Sequence, residues 1–457
     1  MDSPTKDNLR ERLQSALAQA RFDNAEMLSV AFPPLPPSAF DTLARSPDAP
    51  VIFFFENAQK NPAEIALDFR NDFFSCEKVS FPTLKNAFPR ARKQISLADG
   101  KSPRVPAPKI FVAGTFGNSA RPFAAIPTWQ ISRTKDETQI SAHVFLNEEK
   151  QLNAEILYAE FLQIKAISET PSQPNPLPEI ISETELGGAT YLNRAIHAIG
   201  EIEAGNFEKI VLSRAKDFTF SDKENFPAET LCATLRERFL RGGCTIFSAR
   251  TNARNPREKI VGATPEMLVR LRDGVLETEA LAGTIANDLR APEILAAHLL
   301  SDAKELREHR LVVDFIVEKL RTSGLNPQFP QTPNVRRLPN VFHLHTPIKT
   351  AVPAQNFSLG EIAATLHPTP AMCGVPAQNA EKFICENEPF PRENFSAPVG
   401  FLDADGNGFF AVAIRCAKIF DGKIRLYAGS GLVRGSSPQK EFDEIEAKLS
   451  ALSALLR

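Results

Sequence analysis

Two titratable side chains interrupt segments of the chain that are otherwise apolar. Lys209 opens a run of Ile, Val and Leu, and Glu266 lies in a tight turn, residues 262–268, between two apolar segments. An amine and a carboxyl group can act as base and acid when their surroundings hold them in the required protonation states. A lone lysine at the start of a strand is more often solvated, so both interpretations stay open for these two residues alone.

Glutamates also occur in pairs on predicted helices. Glu441 and Glu444 are three residues apart and therefore share one helix face, with Lys448 four residues further along. Glu305 and Glu308 repeat this spacing. Paired carboxylates are candidates for acid–base or metal chemistry, but a glutamate four residues before a lysine is more often an exposed ion pair.

Three further patterns do not support a site. Residues 403–408 match the first half of an EF-hand loop, but position twelve is Ile414 instead of glutamate, so we predict a hairpin turn. Residues 429–435 lack the third glycine of a dinucleotide-binding loop. His343 and His345 face the same side of a predicted strand, where packing and hydrogen bonding are favoured over metal binding because no third ligand is evident.

The second part of the chain predicts the elements that would position these side chains. Helical periodicity runs through residues 183–205, and residues 209–213 are typical of a buried strand. We further predict strand pairs 245–249 with 259–264, 267–272 with 275–282 and 409–417 with 423–428, and helices over 292–301, over 304–321 and from Pro438 to the end.

Residues 1–185 carry most of the proline-rich turns. Between the turns lie short strand-like runs at 51–55, 109–113 and 139–145, after an amphipathic helix at the N-terminus. The polar, proline-rich stretch 170–185 predicts a linker or long loop. The chain therefore divides at this point into a divergent N-terminal half, 1–185, and a region, 186–457, that contains all the motifs.

Composition restricts the class of protein. The 457 residues are 43% hydrophobic and 24% charged with a formal net charge of −2, and they show no basic stripe, which argues against nucleic acid as the main partner. No uninterrupted apolar run approaches the roughly 18 residues of a membrane span, and the N-terminus resembles no signal peptide. The six cysteines contain no CxxC pair, so reduced thiols and a cytoplasmic location are expected.

Nine segments, taken in order, resemble the motifs of the chorismate-utilising enzymes. They cover about residues 190–450, and the N-terminal half matches that family only in length and texture. The segments are 209–214 (KIVLSR), 262–268 (GATPEML), 281–284 (LAGT), 304–309 (KELREH), 343–347 (HLHTP), 367–376 (HPTPAMCGVP), 414–417 (IRCA), 427–431 (YAGSG) and 437–444 (SPQKEFDE).

The resemblance implies an α+β fold: a single large domain of two packed antiparallel β-sheets with helices outside and the active site between the sheets. It also implies chorismate as substrate and Mg²⁺ as cofactor. Members that use water as the nucleophile have a lysine where Lys209 stands, whereas aminodeoxychorismate synthases have an attacking lysine where this chain has Ala282. We therefore expect an isochorismate synthase, of the kind that serves menaquinone or siderophore biosynthesis.

Two rival activities of the same family stay open at this point. A salicylate synthase would form isochorismate and then eliminate pyruvate, and an anthranilate or aminodeoxychorismate synthase would add ammonia delivered by an amidotransferase. Lys209 and Ala282 argue against the ammonia route. We expect a monomer with no obligatory amidotransferase subunit.

The resemblance assigns a role to each candidate residue. Lys209 would be the general base that activates water, and Glu266 the general acid, with its pKa raised by an apolar setting. Glu308 and Glu444 would bind Mg²⁺ directly, with Glu305 and Glu441 nearby or acting through water. The expected substrate-binding residues are Gly283, Thr284, Thr346, His367, Arg415, Gly429, Gly431 and Lys448.

Two departures from the family affect this assignment. Relatives often carry alanine where His345 stands, near the expected pyruvyl end of the substrate, so the pocket could differ there. Many members continue with arginines after Thr284, whereas this chain has Ile285, Ala286 and Asn287.

Overall fold

The structure is a computed structural model that describes residues 6–59, 63–68, 74–75, 81–97, 105–117, 122–146, 153–170, 175–222, 226–287, 290–338, 341–353 and 357–457. Within these ranges the chain forms ten α-helices, one 3-10 helix (Phe81–Ala87) and 22 strands. The helices are α1 (Lys6–Phe22), α2 (Pro37–Arg45), α3 (Ala154–Glu169), α4 (Gly188–Glu203), α5 (Ala228–Phe239), α6 (Pro292–Ser301), α7 (Ala303–Thr322), α8 (Leu359–Leu366), α9 (Ala377–Asn387) and α10 (Pro438–Ser453).

The strands are short in the first part of the chain and longer in the second. They are β1 (Met27–Leu35), β2 (Val51–Glu56), β3 (Ala63–Leu67), β4 (Phe74–Ser75), β5 (Arg92–Ser96), β6 (Lys109–Ala113), β7 (Phe123–Ile126), β8 (Trp129–Arg133), β9 (Thr138–Phe145), β10 (Ile180–Leu186), β11 (Lys209–Phe220), β12 (Thr245–Arg250), β13 (Lys259–Thr264), β14 (Met267–Arg272), β15 (Val275–Ala286), β16 (Asn334–Arg337), β17 (Val341–Ala351), β18 (Gly374–Val375), β19 (Pro398–Asp403), β20 (Gly408–Val412), β21 (Cys416–Phe420) and β22 (Lys423–Val433).

Two sheets contain all of these strands. The larger runs β10-β11-β22-β21-β13-β12-β2-β3-β8-β9-β1-β5, with β18 on the free edge of β11, and the smaller runs β16-β17-β15-β14-β20-β19-β6-β7-β4. Every pairing is antiparallel except β1 with β5. The predicted α+β domain of two sheets is therefore confirmed, with one parallel pair as the exception.

The two sheets pack face to face through a layer of apolar side chains that is rich in phenylalanine. Phe53 and Phe247 from the larger sheet meet Phe111, Phe401 and Phe409 from the smaller one. Helices cover the outer faces: α1–α5, α9 and α10 lie on the larger sheet, and α7 and α8 on the smaller. Phenylalanine side chains thus fill much of the space between the sheets.

Both halves of the chain contribute to both sheets. In the larger sheet β2 pairs with β12, and in the smaller one β6 pairs with β19. Residues 1–185 therefore extend each sheet that residues 186–457 build.

The prediction of a linker over 170–185 was wrong for its last residues. Residues 180–186 form β10, which pairs with β11 at the edge of the larger sheet. The predicted helix 183–205 begins only at Gly188, after Gly187 with φ +81°. Polar side chains concealed the strand because an edge strand exposes most of its residues.

The prediction of one continuous strand over 409–417 was also wrong. β20 ends at Val412 in the smaller sheet, and β21 begins at Cys416 in the larger one. Arg415, in the connection between the two sheets, adopts a left-handed φ of +47°. The apolar pattern continues across this crossing because both strands are buried.

The remaining predictions on elements are confirmed, among them the hairpin turn within 403–408 and the helices α6 and α7. Helix α10 begins at Pro438 as predicted but ends at Ser453, before the end of the chain. Five cysteines, Cys232, Cys244, Cys373, Cys385 and Cys416, are free thiols, and Cys76 lies outside the described residues. In the part of the chain that the structure describes, no helix has both the length and the apolar character needed to cross a membrane.

Candidate active site

A pocket opens where the ends of β11, β15 and β22 meet α7, α10 and the connection that carries Arg415. Eleven residues predicted from the sequence line it. They are Glu266, Gly283, Thr284, Glu305, Glu308, Arg415, Gly429, Gly431, Glu441, Glu444 and Lys448.

Lys209 borders this pocket through Glu308. Its side chain is only 1% exposed, and its Nζ donates to Oε1 of Glu308 on α7 at 2.7 Å. Gly431 on the neighbouring strand β22 leaves room for the pair, because a Cβ there would lie 2.9 Å from Glu308 Oε1 and 3.2 Å from Lys209 Cε. The lysine is thus a buried ammonium donor to a carboxylate that faces the pocket.

β10 does not pair with the first half of β11, which carries Lys209. Two charged side chains hold the strand there. Beyond the short strand β18, Glu388 accepts a hydrogen bond from the Ser213 N–H at 2.7 Å, and Arg392 donates to the Val211 carbonyl at 2.7 Å. Glu388 and Arg392 are ion-paired and 1% exposed. They satisfy backbone groups that would otherwise be buried without partners.

Helix α7 presents Glu305 and Glu308 to the pocket because its start is well defined. The Asp302 side chain caps the helix by accepting from the N–H groups of Lys304 and Glu305 at 2.8 and 3.1 Å. Glu305 in turn accepts the Thr284 N–H at 2.7 Å. The α7 N-terminus and the end of β15 are thereby joined at the site.

Helix α10 supplies the other two carboxylates. Glu441 accepts hydrogen bonds from Ser430 Oγ and from Lys304 Nζ, the latter at 3.2 Å. Glu444 accepts from Lys448 Nζ at 2.6 Å, and the same Nζ donates to the Gly429 carbonyl at 2.9 Å. Each carboxylate at this end of the pocket therefore has a cationic or hydrogen-bonding partner.

The four carboxylates influence one another. Burial raises the pKa of Glu305, and the charge of Glu308 adds to the rise. Burial and then the charge of Glu444 raise the pKa of Glu441. Burial would raise the pKa of Glu308 too, but the charge and hydrogen bond of Lys209 outweigh it and lower that pKa. Among the described residues, no three Asp, Glu, His or Cys side chains form a group that could hold a metal ion.

Glu266 occupies the turn between β13 and β14 and is 5% exposed. Its N–H donates to Thr264 Oγ1 at 3.1 Å, and its carbonyl accepts from the Val412 N–H at 3.1 Å. Burial and then the charge of Glu279 raise the pKa of Glu266 to about 8, against the opposing charges of Lys209, Arg415 and Arg336. The direction is the one predicted from the sequence, and it favours the acid form near neutral pH.

Arg415 provides the cationic end of the pocket. Its Nη2 lies 3.3 Å from Nε2 of His343, whose Nδ1 lies 2.9 Å from Thr284 Oγ1. Because arginine only donates, Nε2 must accept, and Nδ1 then carries the proton and donates to Thr284. Burial and the charge of Arg415 hold the pKa of His343 well below its usual value, in agreement with a neutral ring. No carboxylate of the described residues forms an ion pair with Arg415, so its guanidinium can receive an anion.

Two predicted substrate-binding residues lie outside this pocket. Thr346 faces the other side of β17, where its Oγ1 is 2.7 Å from Nε2 of His309. His367 packs edge-on against Phe116 with ring centroids 6.3 Å apart, and burial lowers its pKa to about 4. The structure does not bring these two side chains to the other candidates.

Several residues that line the pocket were not predicted from the sequence. Lys304 and Ser430 stand inside the recognised motifs, beside the glutamates and glycines that were predicted as site residues. His343 was noted only as one of a pair with His345. Val211, Met372 and Tyr427 also line the pocket, and nothing in their local pattern distinguishes them from core residues.

The fold and the pocket define an α+β enzyme-like domain with an acid, a buried amine and a row of carboxylates between two sheets. Residues 12–457 match the family model described as chorismate binding enzyme, so the chain belongs to that family and the resemblance is confirmed.

Several characterised proteins are similar to this chain. It is 35% identical over 267 residues to isochorismate synthase DhbC of Bacillus subtilis (57% of this chain, 66% of DhbC). It is 37% identical over 262 residues to the salicylate biosynthesis isochorismate synthase of Pseudomonas aeruginosa (57% and 53%) and 34% identical over 313 residues to isochorismate synthase MenF of Escherichia coli K12 (66% and 69%). The matched region spans about half to two thirds of the first two relatives.

Solved structures show the same fold over almost the whole chain. The structure of MenF, the menaquinone-specific isochorismate synthase from Escherichia coli, superimposes with a TM-score of 0.77 at 25% identity and covers 97% of this chain and 100% of that one. Anthranilate synthase component I from Streptococcus pneumoniae superimposes with a TM-score of 0.59 at 19% identity (91% and 84%), which supports the fold alone.

Proposed function

We propose that this protein is an Mg²⁺-dependent isochorismate synthase, which adds water at C2 of chorismate while the hydroxyl leaves C4. The observation that carries the proposal is the pairing of two groups at one pocket. Glu266 sits where the acid form is favoured, and Lys209 is a buried amine. The names of several similar proteins, given above, support the same activity.

In this proposal Lys209 removes a proton from the attacking water. The lysine donates to Glu308 at 2.7 Å, and an ammonium in an ion pair has no lone pair to offer. The pair must therefore separate, and Lys209 must lose its proton, before the amine can act as a base. The neighbouring glycine, Gly431, leaves the space for this movement.

Glu266 supplies the proton for the departing hydroxyl. The C4–O bond breaks as the C2–O bond forms and the double bonds shift between them, so the hydroxyl leaves as water and the overall reaction is an isomerisation. A carboxyl group with a pKa of about 8 is largely protonated at neutral pH and can make this donation. Its backbone hydrogen bonds to Thr264 and Val412 hold the acid in place.

Polar groups on three elements would hold the substrate. The Arg415 guanidinium suits bidentate contact with the pyruvyl carboxylate. Thr284, oriented by His343, can offer its hydroxyl to an oxygen of the substrate. The backbone at Gly429 and Gly431 can approach closely because no Cβ intervenes.

No three side chains of the described residues form a metal-binding group by themselves, so Mg²⁺ at the carboxylates of α7 and α10 would need waters and substrate oxygens to complete its ligands. Burial, and after it repulsion from Glu308 and from Glu444, raises the pKa values of Glu305 and Glu441. Glu308 and Glu444 would be the direct ligands, with Glu305 and Glu441 beside them or acting through water, since Mg²⁺ takes few carboxylates and keeps waters. When bound, the metal would neutralise this charge and hold the ring carboxylate of the substrate.

The product mixture tests the proposal directly. Purified protein incubated with chorismate and MgCl₂ should yield isochorismate, measured by liquid chromatography and mass spectrometry, with no requirement for ammonium or an amidotransferase. EDTA should abolish the reaction and added MgCl₂ should restore it. Salicylate with pyruvate as the main products, or anthranilate formed only with ammonium, would overturn the proposal.

A further inference from the structure

Glu279, a carboxylate that the proposed reaction does not use, lies directly behind the turn that carries Glu266. It belongs to β15, is 6% exposed and does not line the pocket. Its Oε1 accepts the N–H of Met267, the residue after Glu266, at 3.1 Å. One side of the turn is therefore fastened to a strand of the smaller sheet.

Arg336 fastens the other side of the same turn. Its Nη1 donates to the carbonyl of Pro265, the residue before Glu266, at 3.0 Å and to Glu279 Oε1 at 3.3 Å. Its Nη2 donates to the Gly243 carbonyl at 2.9 Å. Arg336 and Glu279 thus hold the residues before and after Glu266 and contact each other.

His345 completes this arrangement. Its Nε2 lies 3.0 Å from Oε2 of Glu279, the same carboxylate whose Oε1 accepts the Met267 N–H. The histidine that departs from the family pattern is therefore bonded to the carboxylate behind the acid and is absent from the lining of the pocket.

We infer that Glu279 is a positioning residue for the proton donor: with Arg336 it holds the turn on both sides of Glu266, and it places a carboxylate directly behind the acid. The inference rests on the proposed function, because it assigns Glu279 to the same proton donation.

The charges around Glu266 support this role. After burial itself, the charge of Glu279 is the largest influence that raises the pKa of Glu266. The cationic side chains of Lys209 on β11, Arg415 in the connection between the sheets and Arg336 on β16 act in the opposite direction. Loss of the Glu279 charge would remove the largest charge that opposes these three cations, so the pKa of Glu266 should fall.

Glu279→Gln tests the charge while it keeps the shape and one hydrogen-bond acceptor. We expect kcat to fall about tenfold with KM within about twofold, and the basic limb of the kcat profile to move down by about one pH unit. Glu277→Gln, two residues earlier on β15 but paired with Arg270 and Lys349, is the matched control and should leave the limb in place.

Titration of the folded state provides a readout that does not depend on the reaction. The pH dependence of the unfolding free energy is compared between the wild type and Glu266→Gln, each with and without Glu279→Gln. The part of this pH dependence that Glu266→Gln removes is the titration of Glu266. If that titration moves to lower pH in Glu279→Gln, the inference is supported, even if the product of the enzyme is not isochorismate. If Glu279→Gln leaves the titration of Glu266 unchanged, the inference is overturned. The same holds if the enzyme makes isochorismate and the variant leaves the basic limb of its kcat profile unchanged, and in that case the proposed function stays intact.

Discussion

Glu266 and Glu308 are both largely enclosed glutamates at the same pocket, yet the structure drives their pKa values in opposite directions. Burial acts on both in the same sense. At Glu266 the next contribution is another carboxylate, Glu279, so the pKa rises to about 8. At Glu308 the charge and hydrogen bond of Lys209 outweigh burial, and the pKa falls. Burial favours the acid form of both glutamates, and the charged partner of each decides whether that effect is reinforced, as at Glu266, or reversed, as at Glu308.

The same contrast separates the two ends of the pocket. The end near Arg415 offers a neutral acid and a guanidinium that can receive an anion. The end formed by α7 and α10 gathers four carboxylates against Lys209, Lys304 and Lys448. The partners of one residue type, glutamate, thus give the two ends of a single pocket different electrostatic character.

The largest effect should come from removing the amine. Lys209→Gln keeps a hydrogen-bond donor for Glu308 but cannot accept a proton, so we expect kcat/KM for isochorismate formation to fall about 1000-fold. Lys216→Gln, on the same strand but paired with Glu446, should stay within about twofold of wild type. Near-normal turnover by Lys209→Gln, measured with saturating MgCl₂, would exclude this lysine as the base.

Replacement of the acid should be the next largest change. Glu266→Gln cannot donate a proton, and we expect kcat to fall about 100-fold. The measurement is initial rate across a range of pH on both sides of neutrality, where the wild type should lose activity above a pH of about 8 as Glu266 ionises.

The same variant should also change stability, with a definite sign. Folded Glu266 keeps its proton up to a pH of about 8 while the unfolded chain loses it near the ordinary value, so this residue makes the fold less stable as pH rises between the two. Glu266→Gln should therefore gain stability over wild type as pH increases, by about 4 kcal/mol near pH 8, in urea unfolding.

Glu277 is a control, because its effect on the pH dependence of the unfolding free energy has the opposite sign. Burial alone would raise its pKa, but hydrogen bonds from Lys349 and Arg270 lower it. Its contribution to stability is therefore present at neutral pH and is lost as pH falls, so Glu277→Gln should lose stability at pH 7 and converge with wild type in acid. Parallel pH profiles for Glu266→Gln and Glu277→Gln would contradict the contrast between the two carboxyls.

A moderate effect is expected at the carboxylate end. Glu444→Gln removes a proposed ligand, so the MgCl₂ concentration for half-maximal activity should rise about tenfold. Asp443→Asn, a neighbour on α10 that accepts from Gln439, is the control and should leave the titration unchanged. An unaltered metal titration for Glu444→Gln would remove Glu444 from the proposed site.

The smallest effect should separate two threonines. Thr284 lines the pocket and bonds His343, whereas Thr346 bonds His309 on the other face of β17. Thr346→Val should lose about 1 kcal/mol of stability with unchanged KM, and Thr284→Val should raise KM for chorismate several-fold. A raised KM for Thr346→Val would restore this residue as a substrate contact.

Elements that depend on neighbouring residues were predictable from the sequence. The hairpin of β14 and β15 follows from alternating apolar residues around an Asp-Gly turn, and α7 from its apolar stripe. The break at Arg415 was not predictable, because the two strands beside it are both buried and only their membership of different sheets requires the left-handed residue.

The site residues divide in the same way, into features that depend on neighbouring residues and features that depend on residues far apart in the chain. The identities of the acid, the amine and the carboxylates could be inferred from motifs. The sequence shows Glu279 as an acidic residue in an apolar strand. Its position behind Glu266 could not be predicted, because its partners Arg336 and His345 are 57 and 66 residues away in the chain.

The sequence by itself determined the helices, the hairpins and the residue types available for chemistry, because periodicity and turn signals act over a few neighbours. Only the tertiary structure decided which glutamate holds a proton and which threonine reaches the pocket. Lys209 and Glu308 are 99 residues apart in the chain. Lys209 can therefore lower the pKa of Glu308 only once β11 and α7 have packed together.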